Sequence, residues 1–405
     1  MQRYFADLHI HIGRSESGRP VKVTASRDLT FENICRECVD RKGIEIAGII
    51  DCASPDVIAD IEALLACGDM RPIDEGGLRY LGKLTVILGA EFEAREAGGG
   101  VSHVLSYFPT FSDLKAFSQE MGRHVSNIGL SSQQCRMTAD ALAQTAIGCG
   151  AFVVPAHAFT PHKSMYGACV ARMAGMFRAE TLAHVPAIEL GLSADSQLAD
   201  RLSELAEVTF LSNSDAHSLP KIGREYNVLK LETDSFAEVE RALRHEGGRC
   251  ITGNFGMDPR LGKYHRTYCE VCEEVVLVDP PARTCSRCGG TNVTFGVLDR
   301  ICEIADRDVP DPPAHRPHYQ HQVPLQFVPK VGAVALAKLL NRFGSEMAVL
   351  HSADYEDLAQ TVGSAITQRI VDARSGVLML QPGGGGRFGK VVSKPDEAQL
   401  SLGIR

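Results

Sequence analysis

Six short apolar runs in the first 220 residues each end in, or lead straight to, a side chain that can bind a metal. They are Asp7-Leu8-His9-Ile10-His11, Ile49-Ile50-Asp51, Leu88-Gly89-Ala90-Glu91, His103-Val104-Leu105, Val153-Val154-Pro155-Ala156-His157 and Phe210-Leu211-Ser212-Asn213-Ser214-Asp215-Ala216-His217. Buried strands of this kind carry imidazoles and carboxylates from distant parts of a chain to one end of a parallel sheet or barrel, where such folds keep their chemistry. The pattern predicts an α/β metallohydrolase.

Spacing strengthens the reading. In His9-x-His11 the alternation of side chains along a strand puts both imidazoles on one face, where they can chelate one ion. An isolated pair of this kind is more often structural, but Asp215-x-His217 repeats the arrangement after another apolar run. Glu91 closes the run Thr85 to Ala90, and a carboxylate at the inner end of a buried strand is costly unless paired or metal-bound. A salt bridge is its plainer alternative.

The chain has 405 residues, enough for two or three domains. Its start shows no basic and apolar leader, and no apolar stretch reaches the roughly 20 residues of a membrane span. A soluble, cytoplasmic protein without a membrane partner is therefore expected. In that setting the thirteen cysteines read as buried thiols plus a metal site rather than as a disulfide framework. The formal net charge of −8 gives no general attraction to nucleic acid, yet Lys plus Arg balance Asp plus Glu from Asp258 onward, so local patches decide.

Residues 1–257 alternate strand-like runs with helical patterns at Phe31 to Arg41, Asp56 to Ala66, Ala139 to Cys149, Gln197 to Ala206 and Phe236 to His245. Thr30 and Ser54-Pro55 supply two of the start signals. A cysteine-punctuated, β-rich block follows at 258–305. The remainder, 306–405, opens with a proline-rich arm from Asp308 to Pro324, turns helical from Phe327 to Ser375, and ends in a glycine-rich tail.

Cys269-x-x-Cys272 and Cys285-x-x-Cys288 have the four-thiolate spacing of a zinc ribbon, and Gly289-Gly290 suits the second knuckle. One structural zinc is expected there, with no open position for catalysis. Cys35-x-x-Cys38 lies in a helical pattern without a partner pair and reads as core packing. Pro324 to Gly332, followed by Ala335, Ala337 to Leu340 and Phe343 to Ser345, is similar to a helix-hairpin-helix element; a second copy runs from Leu358 through Val362-Gly363 to Ile370. In such an element amides at a helix start meet a DNA phosphate without reading bases, and Lys330 and Gly332 are the DNA-binding candidates. An ordinary helical hairpin is the alternative. Gly383 to Lys390 lacks the spacing of a phosphate loop and reads as flexible tail, with no nucleotide triphosphate expected.

On these residues the chain resembles the polymerase and histidinol phosphatase, or PHP, metal-dependent phosphoesterases. The resemblance implies a distorted (β/α)7 barrel followed by the small ribbon and the helical region. It implies that His9, His11, Glu91 and Asp215 surround one ion and that Glu91 bridges to a second held by His103 and His157. Asp51 with His217 would hold a third, giving two to three divalent ions of zinc, manganese or magnesium. The chain departs from the family after His11, where Gly13-Arg14-Ser15 stands in place of a further histidine, and at Asp51, which ends the second strand. Asp215, Glu91 and His217 are the implied catalytic groups. Clustered cations activate water and neutralise phosphoryl charge, so no serine or cysteine nucleophile is required.

The order of PHP segment, ribbon and helical hairpins is similar to the endonuclease Q family. That resemblance implies a DNA repair endonuclease cutting on the 5′ side of uracil, hypoxanthine, xanthine or an abasic site, in duplex or single-stranded DNA. Arg14 and Lys22, with Arg19 and Arg27, are then candidates for substrate phosphates, or simply solvated loop charges. Asn213 and Ser214 could read a flipped base, with Phe159, Tyr166 and Phe177 as stacking groups. Two rival readings remain open: a small-molecule phosphatase of the PHP type, which leaves 258–405 unexplained, and a noncatalytic zinc-containing nucleic-acid binder.

Overall fold

The computed structural model describes residues 1–376, 379–381, 383 and 385–392. Its first eleven strands are β1 (Gln2–Ile10), β2 (Ile46–Ile49), β3 (Met70–Pro72), β4 (Leu78–Tyr80), β5 (Leu84–Arg95), β6 (Val101–Phe108), β7 (Phe152–Pro155), β8 (Ala187–Glu189), β9 (Thr209–Leu211), β10 (Tyr226–Leu231) and β11 (Cys250–Gly256). Strands β1, β2 and β5 are parallel neighbours, as are β8 and β9. Elsewhere the expected parallel pattern gives way: β6 lies antiparallel between β5 and β7, and β10 lies antiparallel between β1 and β11. The reason at β5–β6 is length. Only residues 96–100 connect them, too few for a crossover helix, so the chain turns back on itself. The pair β8–β9 contacts β7 on one side and β11 on the other, joining the two arms of the mixed sheet.

Apolar residues pack on both faces of the sheet. Ile46, Ile50, Ile87, Leu105 and Tyr107 belong to one cluster, whereas their neighbours Ala47, Ile49, Val86, Leu88, Val104 and Phe108 belong to the other. This near-continuous burial explains why the strands read as solid apolar runs rather than alternating ones.

Thr30 caps the helix Phe31–Glu37 by accepting from the Asn33 amide, and Pro55 opens the helix Pro55–Cys67 at its first turn. Ala139–Ile147 and Phe236–Leu243 form as helices, capped by Thr138 and Ser235. The pattern from Gln197 to Ala206 does not hold as one helix: it breaks into Ser196–Ala199 and a 3₁₀ turn, Ser203–Leu205. Both Cys35 and Cys38 are fully buried, and burial pushes their thiols up, which suits packing rather than redox chemistry.

After β11, a three-stranded sheet of β12 (Tyr268–Cys269), β13 (Glu274–Val275) and β14 (Val293–Thr294) carries the cysteines. The helix Val297–Ile304 then returns to the first segment, where the Arg300 guanidinium donates to the Tyr166 and Val170 carbonyls. The proline-rich arm runs along the same body: Arg316 pairs with Asp200, and β15 (Tyr319–His321) adds to the edge of β11. Four helices follow, Ala333–Phe343, Glu346–His351, Tyr355–Val362 and Ser364–Arg374. The glycine-rich stretch departs from the expected free tail. Strands β16 (Met379–Gln381) and β17 (Lys390–Val392) form a hairpin, and the amides of Gly383, Gly386 and Gly389 donate to the carbonyls of Arg260, Lys263 and Leu261. No helix among the described residues is long and apolar enough to cross a membrane.

Candidate functional site

The ligand candidates converge at one end of the sheet. His9 ends β1 with His11 just beyond it, Glu91 lies within β5, His157 follows β7, and Asp215 and His217 follow β9. His103 arrives on β6 because the antiparallel register pairs it with Glu93, two residues beyond Glu91 on the same face. A β-bulge aims the first of these side chains. Asp7 pairs with Ala47 and Ile10 with Ile49, so three steps along β1 match two along β2. The simple alternation expected across His9-x-His11 is therefore broken at this point, yet the two Nε2 atoms still meet at 3.4 Å. Asp7 itself coordinates nothing. It is wholly buried and accepts from the backbone amides of His9, Ser214 and Gly223, tying β1 to the loop that carries Asp215.

Two triads have ligand atoms within 4.8 Å of one another: His9, His11 and Asp215, and Glu91, His103 and His157. Asp215 Oδ1 lies 3.6 Å from His9 Nε2 and 3.4 Å from His11 Nε2. Glu91 Oε2 stands between the triads, 3.6 Å from His9 Nε2 and 3.1 Å from His103 Nδ1. The donor set fits divalent cations in two ways. First, the outer nitrogens are already spent: His9 Nδ1 on Glu189 at 3.0 Å, His11 Nδ1 on Asp51 at 2.9 Å, and His157 Nδ1 on Thr160 at 3.2 Å. That arrangement fixes each ring and leaves Nε2 for an ion. Second, Glu91 Oε2 and both His103 nitrogens are buried without a hydrogen-bond partner, a cost that a cation removes.

Opposite charges face one another across the site. Burial opposes protonation of His9, but Glu189, Asp215 and Glu91 outweigh it and push its imidazole up to about 10. Burial likewise opposes ionisation of Glu91 and Asp215, yet neighbouring imidazoles hold both carboxyls well below their usual range. A bound cation competes for these places with the protons of the imidazoles.

Several expected residues sit differently. Asp51 lies behind His11 rather than in either triad: one oxygen accepts from the Ile12 amide and His11 Nδ1, the other from Ser131 Oγ. Lys22 does not face outward. Its ammonium lies in the cavity, 3.3 Å from Glu91 and hydrogen-bonded to Ser132. Ser214 is fully buried, with its Oγ donating to the His9 carbonyl. His217 stands beside His11 with ring centroids 4.6 Å apart, and its Nδ1 donates to the Asp215 carbonyl. Asn213 Oδ1 accepts from Leu8 and Asn227, whereas its buried Nδ2 has no partner. Phe159, Tyr166 and Phe177 are core: Phe159 and Tyr166 stack at 5.1 Å, and all three are buried. Arg14 donates to the Gly18 carbonyl of its own loop.

Several further residues complete the site. Glu189, at the end of β8, holds His9 and also accepts from the His157 amide at 2.8 Å, so one buried carboxylate orients a ligand of each triad. Its signal was present in Ala187-Ile188-Glu189, a charge closing a short apolar run. Glu93 lies 3.6 Å from His103 Nε2 and 2.8 Å from Lys163, and these cations lower its carboxyl to about 2. The triads open into a cavity of about 450 Å³ whose wall includes Lys22, Lys163, Lys221, Arg224, Lys263 and Phe388.

The four cysteine sulfurs also gather within 4.8 Å of one another, with Cys269–Cys288 at 3.8 Å and Cys272–Cys285 at 3.9 Å. Backbone amides at the second knuckle lower the Cys285 thiol to about 7, favouring the thiolate that binds zinc. In the helical region Lys330 has φ +72°, and Gly332 precedes Ala333–Phe343 without a side-chain cap; both border a groove with Lys338, Val362 and Ile366.

Residues 195–246 match the family model described as PHP-associated. The chain is 46% identical to a Bacillus subtilis strain 168 protein called uncharacterized protein YqxK, over 393 residues that cover 96% of this chain and 100% of the relative. It is 31% identical to the lesion-specific endonuclease PfuEndoQ of Pyrococcus furiosus, with a TM-score of 0.81 and all of both chains covered. A crystal structure of endonuclease Q in complex with a 27-mer duplex bearing an abasic lesion at the active site gives 32% identity and a TM-score of 0.82 over 98% of each chain.

Proposed function

The chain belongs to the endonuclease Q family, and from that premise we propose that it is a metal-dependent DNA repair endonuclease hydrolysing the phosphodiester 5′ to a deaminated base or an abasic site. It acts on lesions in DNA. The observation that carries the site assignment is Glu91 standing between two ligand triads on the floor of a basic cavity.

On this reading His9, His11 and Asp215 would hold one divalent cation and Glu91, His103 and His157 a second; when bound, they would supply positive charge to polarise a phosphoryl oxygen and offset charge on the leaving oxygen. The protein's own groups do the rest. Glu189, Asp51 and Thr160 keep the rings in one orientation, and Arg224 holds the backbone of the Asp215 loop by donating to the carbonyls of Ser214 and Asp215. Burial lowers the His217 imidazole to about 4 and so keeps it neutral; with Nδ1 on the Asp215 carbonyl, Nε2 is the ring nitrogen left for substrate or an ion. Lys22 and Lys163 set positive charge beside the carboxylates, where substrate phosphate enters.

Asn213 supplies the base-reading group. Deamination replaces an exocyclic amine, a donor, by a carbonyl, an acceptor, and Asn213, which lines the cavity and whose buried Nδ2 donor has no partner, offers the group that matches uracil, hypoxanthine and xanthine. Residues 1–257 form the PHP segment, 258–305 the ribbon with one structural zinc on Cys269, Cys272, Cys285 and Cys288, and 306–405 the linker and DNA-gripping helices. There Lys330 and the open amides after Gly332 meet the phosphate backbone.

The test uses full-length protein with a divalent metal, labelled uracil-containing and undamaged duplexes, and a small phosphomonoester. Lesion-dependent nicking is expected, falling about 100-fold or more in Asp215→Asn, as when an electrostatic group of an active site is removed. Phosphate release without nicking would replace the reading by a phosphatase, and DNA retention without turnover by a binder.

A further inference from the structure

We propose that Phe388, carried on the glycine-rich hairpin near the end of the chain, is the stacking platform for the extruded base, an assignment that rests on the endonuclease reading of the cavity. The hairpin is docked tightly beside the site. Besides its hydrogen bonds to Arg260–Lys263, Gly385 has φ +57° and its Cα lies so near Tyr268 that an added Cβ would come within 2.6 Å of the ring. This anchoring delivers Phe388 to the wall of the cavity that also exposes Asp215 and His217.

The placement is unusual for phenylalanine. The residue remains 37% exposed, and two cations lie over its ring, with Lys263 Nζ 4.7 Å and the Arg224 guanidinium 5.7 Å from the centroid. Such contacts help to hold the ring at the cavity wall, which Phe388 lines. Lys263, itself on the cavity wall, suits a phosphate flanking a flipped nucleotide, so ring and charge together match a nucleotide better than either alone. Apart from the histidines, Tyr264 is the one other aromatic residue lining this cavity among the described residues, and it already meets His162 edge to face at 5.6 Å. The cavity, at about 450 Å³, is within the size range of small-molecule sites and has room for one nucleoside.

Stacking predicts a contrast that mere anchoring does not, because an abasic site offers no base to stack. Phe388→Ala, Phe388→Leu and Phe388→Trp are compared on duplexes that differ only in carrying uracil, hypoxanthine or a stable abasic analogue. In the Ala and Leu variants the ratio of kcat/KM for the base-bearing lesions to that for the abasic analogue is expected to fall roughly 5- to 150-fold, the worth of one base–aromatic stack. Phe388→Trp restores it. Equal losses on all three duplexes, or an unchanged ratio, overturn the proposal. Leu keeps apolar bulk, so it reports on stacking even where Ala weakens the hairpin. Wild-type protein that nicks none of the three overturns the endonuclease reading instead.

Discussion

At the scale of single residues, the chain spends stability on polar groups buried near its chemistry, and Glu225 shows it most clearly. It is 1% exposed just before β10; one oxygen accepts from the Met257 amide and the other has no partner. Burial pushes its carboxyl up to about 8, against an ordinary 4.5. The folded state therefore favours the protonated form. Its contribution to stability is complete below pH 4.5 and is lost as pH rises toward and through 8. Glu225→Gln keeps an acceptor for Met257 and removes the ionisation. The variant is expected to be more stable than wild type at pH 9, by on the order of a few kcal/mol, and to converge with it at pH 5. Denaturant midpoints across that range test this, and a pH-independent difference refutes it. Residues of this class were invisible in the sequence because burial of a lone glutamate is decided by tertiary packing. Glu189 was legible in principle, as a charge closing an apolar run, but its strand has three residues and no histidine beside it. Most of the primary ligands could be read because each sits beside an apolar run and pairs with a second ligand close by in the sequence, as in His9-x-His11 and Asp215-x-His217. Phe388, Lys163 and Lys263 reach the cavity from loops and turns, for which spacing carries no information.

At the scale of elements, the decisive feature is the bulge in β1. Alternation alone would put Leu8 and Ile10 on one face, yet they belong to different apolar clusters, because the extra step between Asp7 and Ile10 re-aims the strand just where His9 and His11 begin. The partner strand makes room with Gly48. A Cβ there would lie 2.4 Å from the Leu8 carbonyl oxygen and 2.7 Å from Leu8 C and Cα, all backbone atoms that cannot swing aside. Gly48→Ala should cost about 1–3 kcal/mol as overpacking. It should also weaken metal binding, since the displaced backbone carries His9. Melting with and without added manganese, alongside metal titration, checks both effects. Wild-type melting and affinity in the variant would mean that Gly48 does not set the bulge. The bulge could not be read from Ile46-Ala47-Gly48-Ile49, because the same glycine suits any close approach. The antiparallel return of β6 was more legible than it was read: Gly98-Gly99-Gly100 between two strand-like runs is a hairpin signal, and the βα pattern of the surrounding chain masked it.

At the scale of the whole molecule, the C-terminal helices are held to the metal-bearing body by a buried ion pair. Lys42 Nζ donates to Glu346 at 2.9 Å and to the Pro220 carbonyl at 2.8 Å, with the two side chains only 2% and 6% exposed. Glu346 is also the first residue of the helix Glu346–His351, where its charge suits the positive end of the helix. On the proposed reading this contact sets the distance between the lesion pocket and the phosphate grip around Lys330 and Gly332. Removing one partner strands a charge: Glu346→Ala leaves the Lys42 ammonium buried and is expected to cost about 3–5 kcal/mol, whereas replacing both by apolar groups of similar size is expected to be nearly neutral. The loss should fall on docking of the helical block, so limited proteolysis of Glu346→Ala should cut within the arm from Asp308 to Pro324 faster than in wild type. The double variant Lys42→Met/Glu346→Leu should restore both protease resistance and the melting midpoint. If the single variant matches wild type in both, the helices are held by their apolar contacts alone. If the double variant is as labile as the single, the side chains serve a geometry that apolar packing cannot replace.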